Sequence, residues 1–276
     1  LWGTHTRLPI GELNTAILST MLFARESELM SDKPRGITVC VEYSDILALT
    51  LPHNREYFEE FMVVTTPKDH ATILLAQKYD CHIHLTDAFY ARGAAFNKFA
   101  ALEEGLDVFG RHGWMVIIDA DIAIPKNKLP WVPKVGKIYT PHRRILQQIP
   151  TEIPEQRIWR QYKRPMLNEE FAGYFQLFHA DDPVLKKTPW HETDWTWAGG
   201  ADSFFHMRWA EANKTRPPFE VLHIGPPFLN WCGRVTPFAD GTKHSKADIR
   251  NEHRLMLLKS RMGKNKLDRY AKEKLQ

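Results

Sequence analysis

Two aspartates separated by one residue follow a strongly apolar segment near the middle of the chain. Asp119 and Asp121 come directly after residues 114–118 (WMVII), which predict a buried strand. Carboxylate oxygens suit Mn²⁺ or Mg²⁺, and these ions also bind phosphate oxygens. One Asp-x-Asp is expected by chance about once per chain, and it is also typical of a strand-end turn. A charged pair directly after five apolar residues favours a role in metal and nucleotide binding.

A second acidic candidate, Asp202, follows a pair of glycines. Gly199 and Gly200 would let the backbone approach a ligand closely. An aspartate beside such a pocket is suited to take a proton from a hydroxyl group. The alternative is that Asp202 caps a helix predicted over residues 203–210, and the two roles are compatible.

A histidine, His223, lies at the end of a strand predicted over residues 221–224. A lone histidine in that position is more often a satisfied polar residue than a ligand. It becomes a candidate metal ligand only if the fold brings it to Asp121.

The elements that must position these residues alternate between strands and helices. We predict strands over residues 37–43, 61–66, 82–85, 114–118, 173–178 and 221–224, and helices over 69–79 and 96–109. Loops with short strands are expected over residues 124–165, and a break at residues 52–54. This pattern predicts an α/β fold with a mixed, mostly parallel sheet flanked by helices. Ligands of such sheets bind at the carboxyl ends of the strands, where Glu42 and Asp119 lie.

Composition narrows the classes of function. The 276 residues are 43% hydrophobic and 25% charged, which excludes disorder for most of the chain. The net charge of +4 suits a phosphate-rich ligand. The three cysteines are far apart and predict neither a disulfide framework nor a thiolate zinc site. No apolar segment is long enough to span a membrane, so we expect a cytoplasmic protein, in the host cytoplasm if it is viral.

Three regions are expected along the chain. Residues 1–36 would be an N-terminal extension, with Met30 opening the natural protein; a poorly formed secretory signal is the alternative. Residues 37–240 would form a single catalytic domain. Residues 241–276 would carry a basic C-terminal helix, predicted over 250–275.

Taken in order, the motifs resemble those of GT-A (Rossmann-like) nucleotide-sugar glycosyltransferases. The resemblance extends over residues 37 to about 235. Within it, residues 195–202 (WTWAGGAD) are similar to the Trp-Gly-Gly-Glu-Asp region of beta-1,4-galactosyltransferases. It implies that Asp119, Asp121 and His223 form the metal site, with Asp119 also facing the nucleotide sugar. Asp202 would be the catalytic base. Ala201 stands where those enzymes have the glutamate, which puts their acceptor contacts in doubt for this chain.

Further donor contacts follow from weaker resemblances. The segment around Lys98 is similar to the Asn-Lys-Gly segment of family 2 glycosyltransferases, which implies that Lys98 contacts the diphosphate. Glu42 and Asp69 match positions that hold the uracil or ribose. Gly199 and Gly200 would also line the donor site. Arg234 would supply positive charge to the diphosphate.

The expected reaction is metal-dependent transfer of a sugar, with inversion, from a donor that is expected to be UDP-linked. No covalent nucleophile is evident, and the cofactor would be Mn²⁺ or Mg²⁺. The chain also resembles bacteriophage-type enzymes that glycosylate hydroxymethylated pyrimidines in double-stranded DNA. Arg143, Arg144 and the basic C-terminal helix would suit a phosphate backbone. Polysaccharide, lipid and protein acceptors remain as alternatives.

Two other classes of protein are rivals. A nucleotidyltransferase would need a glycine-rich, basic loop after the first strand, where this chain has residues 42–45 (EYSD). A non-catalytic binding protein on the same fold would keep the sheet but lose the acidic residues. This chain retains Asp119, Asp121 and Asp202 together with His223.

Overall fold

The computed structural model describes residues 33–94, 96–126, 131–165, 173–195, 201–225, 235–237 and 243–245. The predicted extension before Met30 and the predicted basic helix over residues 250–275 lie outside the described residues. None of the helices in the described ranges is long and apolar enough to cross a membrane.

The described elements alternate in the first half of the chain and become shorter in the second. The strands are β1 (Arg35–Val39), β2 (Phe61–Thr65), β3 (His82–Leu85), β4 (Trp114–Ile118), β5 (Ile122–Ala123), β6 (Ile138–Tyr139), β7 (His142–Leu146), β8 (Phe175–His179), β9 (Lys214–Thr215), β10 (Glu220–Ile224), β11 (Val235–Pro237) and β12 (Lys243–Ser245). The α-helices are α1 (Ser44–Asn54), α2 (His70–Lys78), α3 (Lys98–Phe109) and α4 (Ala201–His206).

Seven strands form a central sheet in the order β3-β2-β1-β4-β8-β6-β9. The first four are mutually parallel, β8 is antiparallel to both β4 and β6, and β6 is parallel to β9. The prediction of a mixed, mostly parallel sheet flanked by helices is therefore confirmed, and the architecture is compatible with a Rossmann-like nucleotide-binding domain. A smaller sheet, β5-β10-β7, adjoins the end of β4.

Helices α2 and α3 lie where the apolar periodicity predicts them. Each is capped by the residue before it: the Asp69 side chain accepts from the amide of Thr72, and Asn97 accepts from the amide of Ala100. Strand β1 covers residues 35–39 instead of 37–43, and it could not extend to residue 43 because Glu42 adopts φ 57°, a left-handed conformation that cannot continue a strand.

Two predicted boundaries were wrong. Pro52 does not mark a break, since it lies inside the last turn of α1. The short helix α4 covers residues 201–206 instead of 203–210. Strand β12 pairs antiparallel with β11 and precedes the segment for which the C-terminal helix is predicted.

Helix α1 fixes the loop that follows β4. The Thr50 hydroxyl donates to the carbonyl of Ala120 at 2.6 Å. The Asn54 amide donates to the carbonyl of Ile122 at 2.6 Å and accepts from the amide of Ile124 at 2.9 Å. Both side chains are buried, so α1 satisfies backbone groups of this loop at Ala120, Ile122 and Ile124.

We predict that Asn54→Ala destabilises the fold by about 1–3 kcal/mol for each backbone group left unsatisfied. Urea unfolding measures the change in free energy. The control is Asn213→Ala, at a partly exposed position that ends a short 3₁₀ helix, which should cost less than about 0.5 kcal/mol. Equal effects of the two variants would contradict the anchoring role of Asn54.

Candidate functional site

The loop between β4 and β5 places two carboxylates at the carboxyl end of the central strand. The amide of Asp119 donates to the carbonyl of Tyr174 at 2.9 Å, which ties the loop to the segment entering β8. The amide of Ile122 donates to the carbonyl of Asp119 at 3.2 Å, which closes a tight turn. Asp121 is 7% exposed, whereas 36% of the Asp119 side chain is accessible, so Asp119 is the more open of the two.

Lys98 forms a partly buried ion pair with Asp119. Its Nζ contacts Asp119 Oδ1, and the lysine as a whole is 9% exposed. Lys98 is the first residue of α3, and the positive end of a helix is an unfavourable place for an ammonium group. The carboxylates around it must therefore compensate for this position.

The charges of three aspartates act on Lys98. Burial opposes its charged form, but the charge and hydrogen bond of Asp119, together with the charges of Asp202 and Asp121, outweigh burial and raise the pKa of Lys98. Desolvation raises the pKa of Asp119. The charge and hydrogen bond of Lys98 lower that pKa, whereas the charges of Asp121 and Asp202 raise it further. The four side chains thus form one electrostatic group, which we call the carboxylate cluster: Lys98, Asp119, Asp121 and Asp202.

Strand β10 brings His223 to Asp121 across about a hundred residues of sequence. His223 lies opposite Ile122 in the β5–β10 pair, and the amide of Ile224 donates to the carbonyl of Asp121 at 2.8 Å. His223 Nε2 is 3.6 Å from Asp121 Oδ2, and both side chains are buried.

The tautomer of His223 fits a metal ligand. Its Nδ1 is 3.1 Å from the carbonyl oxygen of Gly225, and a carbonyl only accepts, so Nδ1 carries the proton. In the neutral ring Nε2 then presents its lone pair towards the Asp121 carboxylate. A histidine that ligates a metal commonly donates its other N–H to a carbonyl in this way. In the described ranges no group of three or more His, Cys, Asp or Glu side chains has the arrangement of a metal site.

Asp202 is held by the segment that also holds Asp119. The amide of Gly173 donates to Asp202 Oδ2 at 2.7 Å, next to the Tyr174 carbonyl that accepts from Asp119. A Cβ atom on Gly173 would lie 2.5 Å from Asp202 Cβ, so only glycine fits here without displacing the carboxylate. Asp202 belongs to the first turn of α4 and does not precede the helix, so the predicted cap of a helix over 203–210 was wrong.

The two predicted contacts to the base or ribose lie at the ends of β1 and β2. Asp69 accepts from the amide of Glu42 at 2.7 Å, from the Thr72 hydroxyl at 2.7 Å and from the Thr65 hydroxyl at 3.3 Å. Asp69 therefore fixes the left-handed turn at Glu42 besides capping α2. Tyr90, which the sequence did not single out, lies in the same region, since burial raises its pKa and the charges of Glu42 and Asp69 add to that effect.

Other predicted residues are placed differently or are not described. Gly199, Gly200 and Arg234 lie outside the described residues. Arg144 donates to Glu220 at 2.7 Å, and Arg164 donates to the other oxygen of that carboxylate, so two guanidinium groups share one negative charge. Arg143 lies over the ring of Tyr174, 4.6 Å from its centroid.

Sequence reasoning missed a buried network that joins α3 to the segment before α4. Glu103 accepts from the amide of His191 at 2.9 Å, from its Nδ1 at 2.6 Å and from Arg111 at 2.8 Å. The His191 ring stacks on Phe99 and Phe205, with centroid distances of 5.1 Å and 4.2 Å. Phe99 adjoins Lys98, and Phe205 lies on the helix of Asp202, so this network sets the spacing of the carboxylate cluster. An acid and a histidine 88 residues apart give no signal in the sequence.

Comparison with known proteins assigns no family. No family model matches the chain, and no curated protein matches it. Among solved structures, the inositol-1-phosphate CTP transferase from T. maritima matches with a TM-score of 0.43 and 6% identity, over 71% of this chain and 91% of that protein. A 4-diphosphocytidyl-2C-methyl-D-erythritol synthase matches with a TM-score of 0.33 and 11% identity, over 82% of this chain and 100% of that protein. A mycobacterial protein matches with a TM-score of 0.31 and 12% identity, and the aligned part covers 44% of this chain and only 43% of that protein.

We predict that Gly173→Ala displaces the Asp202 carboxylate and destabilises the fold by about 1–3 kcal/mol, because the added methyl group overpacks the contact. A crystal structure of the variant would locate Asp202, and urea unfolding would give the free energy. The matched control is Gly36→Ala, whose Cβ would lie 2.5 Å from the Phe61 ring. This control should also lose stability but leave Asp202 in place. An unmoved Asp202 in Gly173→Ala would contradict the prediction.

The Glu103–His191 pair predicts a pH dependence of stability. Burial lowers the pKa of His191 below its ordinary value of 6.5, although the hydrogen bond and charge of Glu103 oppose this effect. Burial raises the pKa of Glu103, but His191 and Arg111 outweigh it and lower that pKa below 4.5. The unfolded chain therefore binds more protons than the folded chain as the pH falls. Stability should decrease from about pH 6.5 downwards, with a slope of at most about 1.4 kcal/mol per pH unit for each proton.

The variant His191→Gln isolates the contribution of histidine. It should flatten the loss of stability between about pH 6.5 and 5, measured as the urea midpoint at each pH. The control His70→Gln, at an exposed position in α2, should keep the wild-type dependence. The same pH profile for His191→Gln and the wild type would show that His191 does not cause the loss.

Proposed function

We propose that the chain is a metal-dependent, inverting glycosyltransferase of the GT-A type that uses a nucleotide-diphosphate sugar, with UDP as the nucleotide. The observation that carries the proposal is the convergence of Asp121 with His223, and of Asp119 with Lys98 and Asp202, at the carboxyl end of β4. These residues come from separate parts of the chain, and their chemistry is that of a site for a cation and a diphosphate.

Each residue of the site has a role in this proposal. Asp121 and the Nε2 atom of His223 would hold Mn²⁺ or Mg²⁺, and Asp119 would face the donor. The cation, when bound, would neutralise charge that develops on the leaving diphosphate. Lys98 would contact the same diphosphate.

Asp202 would act as the general base on the acceptor hydroxyl. The amide of Gly173 holds one carboxylate oxygen, which orients the group without neutralising its charge. A carboxylate held in this way can accept the proton as the hydroxyl attacks the anomeric carbon. Attack opposite to the leaving diphosphate gives inversion.

Glu42 would bind the base or ribose at the end of β1. Its backbone conformation is fixed by Asp69, so we assign the nucleotide contact to Glu42 and a positioning role to Asp69. Gly199, Gly200 and Arg234 are proposed as donor contacts only from the resemblance of their motifs.

The acceptor remains the open part of the proposal. A hydroxymethylated pyrimidine in double-stranded DNA is one candidate, and glycan, lipid and protein hydroxyl groups are the others. Glu220 pairs with Arg144, one of the two arginines on which the DNA hypothesis depends, and would compete with a phosphate for that side chain. An assay with UDP-sugars and Mn²⁺ should include DNA that carries hydroxymethylcytosine or hydroxymethyluracil beside simple sugar acceptors.

The products of the assay separate this proposal from its rivals. Release of UDP from a UDP-sugar supports glycosyl transfer or its hydrolytic side reaction. Release of pyrophosphate from a nucleoside triphosphate and a sugar phosphate would instead identify a nucleotidyltransferase. Binding of UDP-sugars without any turnover would identify a binding protein.

We predict that Asp202→Asn lowers the rate of transfer by about 10²–10⁴-fold, because the amide cannot accept the proton. Donor affinity should change little, since Asp121, His223 and Lys98 are intact. Asp181→Asn, at a position 82% exposed, is the control and should keep full activity. Wild-type transfer by a stably folded Asp202→Asn would show that Asp202 is not the base.

A further inference from the structure

Lys98 occupies the position from which a cation would approach Asp119. Its ammonium contacts Asp119 Oδ1, and its side chain is only 11% exposed. The other two carboxylates of the cluster, Asp121 and Asp202, also lie near it. A divalent ion that enters without a donor must therefore compete with a resident positive charge.

The Lys98 ammonium group cannot readily move away from Asp119. Asn97 caps α3 and fixes the backbone of the next residue, while Phe99 packs in the core and keeps Lys98 pointing to the cluster. Leaving Asp119 would place the ammonium at the positive end of α3 without a carboxylate partner, which costs free energy. An anionic ligand that binds beside Asp119 would offer a replacement partner.

We propose that Lys98 couples the binding of the divalent cation to the binding of the donor. This inference rests on the proposed function. Without a donor, the ammonium neutralises Asp119 and keeps the affinity for a bare cation low. The diphosphate of the donor attracts the ammonium to itself, which returns the full negative charge of Asp119 to the cation. The two ligands then bind more tightly together than either binds alone, and by linkage the effect is reciprocal.

The test measures Mn²⁺ binding directly, by the electron paramagnetic resonance signal of the free ion, with and without UDP. Binding of Mn²⁺ to UDP itself is measured in the absence of protein and subtracted. In the wild type, UDP should tighten Mn²⁺ binding by about tenfold or more. In Lys98→Met, bare Mn²⁺ should bind about tenfold more tightly than in the wild type, and UDP should add little.

Two further variants make the result specific. Lys98→Gln keeps a hydrogen-bond donor but carries no charge, so it should bind Mn²⁺ as Lys98→Met does. It provides the same test if the methionine variant folds poorly. Lys126→Met removes a positive charge from a side chain that is 61% exposed, close in sequence to Asp121, and should bind Mn²⁺ as the wild type does. Equal tightening by Lys126→Met would attribute the effect to net charge and overturn the specific role of Lys98.

The outcomes separate the inference from the function on which it rests. If the wild type binds Mn²⁺ with UDP but Lys98→Met and Lys98→Gln bind bare Mn²⁺ no more tightly, the inference fails and the proposed function stands. If no form of the protein binds Mn²⁺, with or without UDP, the metal-dependent function fails as well.

Discussion

Repulsion among carboxylates is the constraint on which the site depends. Asp119, Asp121 and Asp202 lie near one another at the end of one buried strand, where burial, with the charges of Asp121 and Asp202, raises the pKa of Asp119. Lys98 supplies a positive charge from the first turn of α3. Since the lysine is itself buried, the arrangement is stable only as a whole. Removing Lys98 or a carboxylate leaves a buried charge without a partner. Such a charge costs more free energy than replacing the whole pair by apolar side chains.

Main-chain hydrogen bonds hold this charged group in place. Consecutive residues, Gly173 and Tyr174, bind the side chain of Asp202 and the backbone of Asp119, so one short segment sets the distance between two carboxylates. On the other side, Asn54 satisfies the loop that carries Asp121. Backbone groups have few ways to be satisfied when buried, so they position charges more rigidly than mobile side chains would. The precision of the site therefore comes from the segment that enters β8 and from α1, which carry none of its predicted chemistry.

The sequence was sufficient for the part of the fold that local periodicity determines. Strands β2, β3 and β4 and helices α2 and α3 lie within two residues of their predicted positions, because apolar spacing and capping residues act over one or two turns. Helix α1 was missed because Pro52 was interpreted as a break, although the buried positions Ile46, Leu47, Thr50, Leu51 and Asn54 have helical spacing. Proline in a last turn disrupts only the hydrogen bond that ends there.

The candidate site shows a different limit. An Asp-x-Asp, a glycine pair and a histidine can be recognised as residue types, but their partners are set by contacts between distant segments. Gly173 illustrates this: in the sequence it is one glycine before an apolar run, and its significance comes from an aspartate 29 residues later. Lys98 contacts Asp119 in the described structure, and its predicted contact with a diphosphate stays a prediction. Both partners are anions, so the two contacts call for the same residue type. The sequence does not show that the fold places the Asp119 carboxylate in contact with Lys98 before any ligand binds.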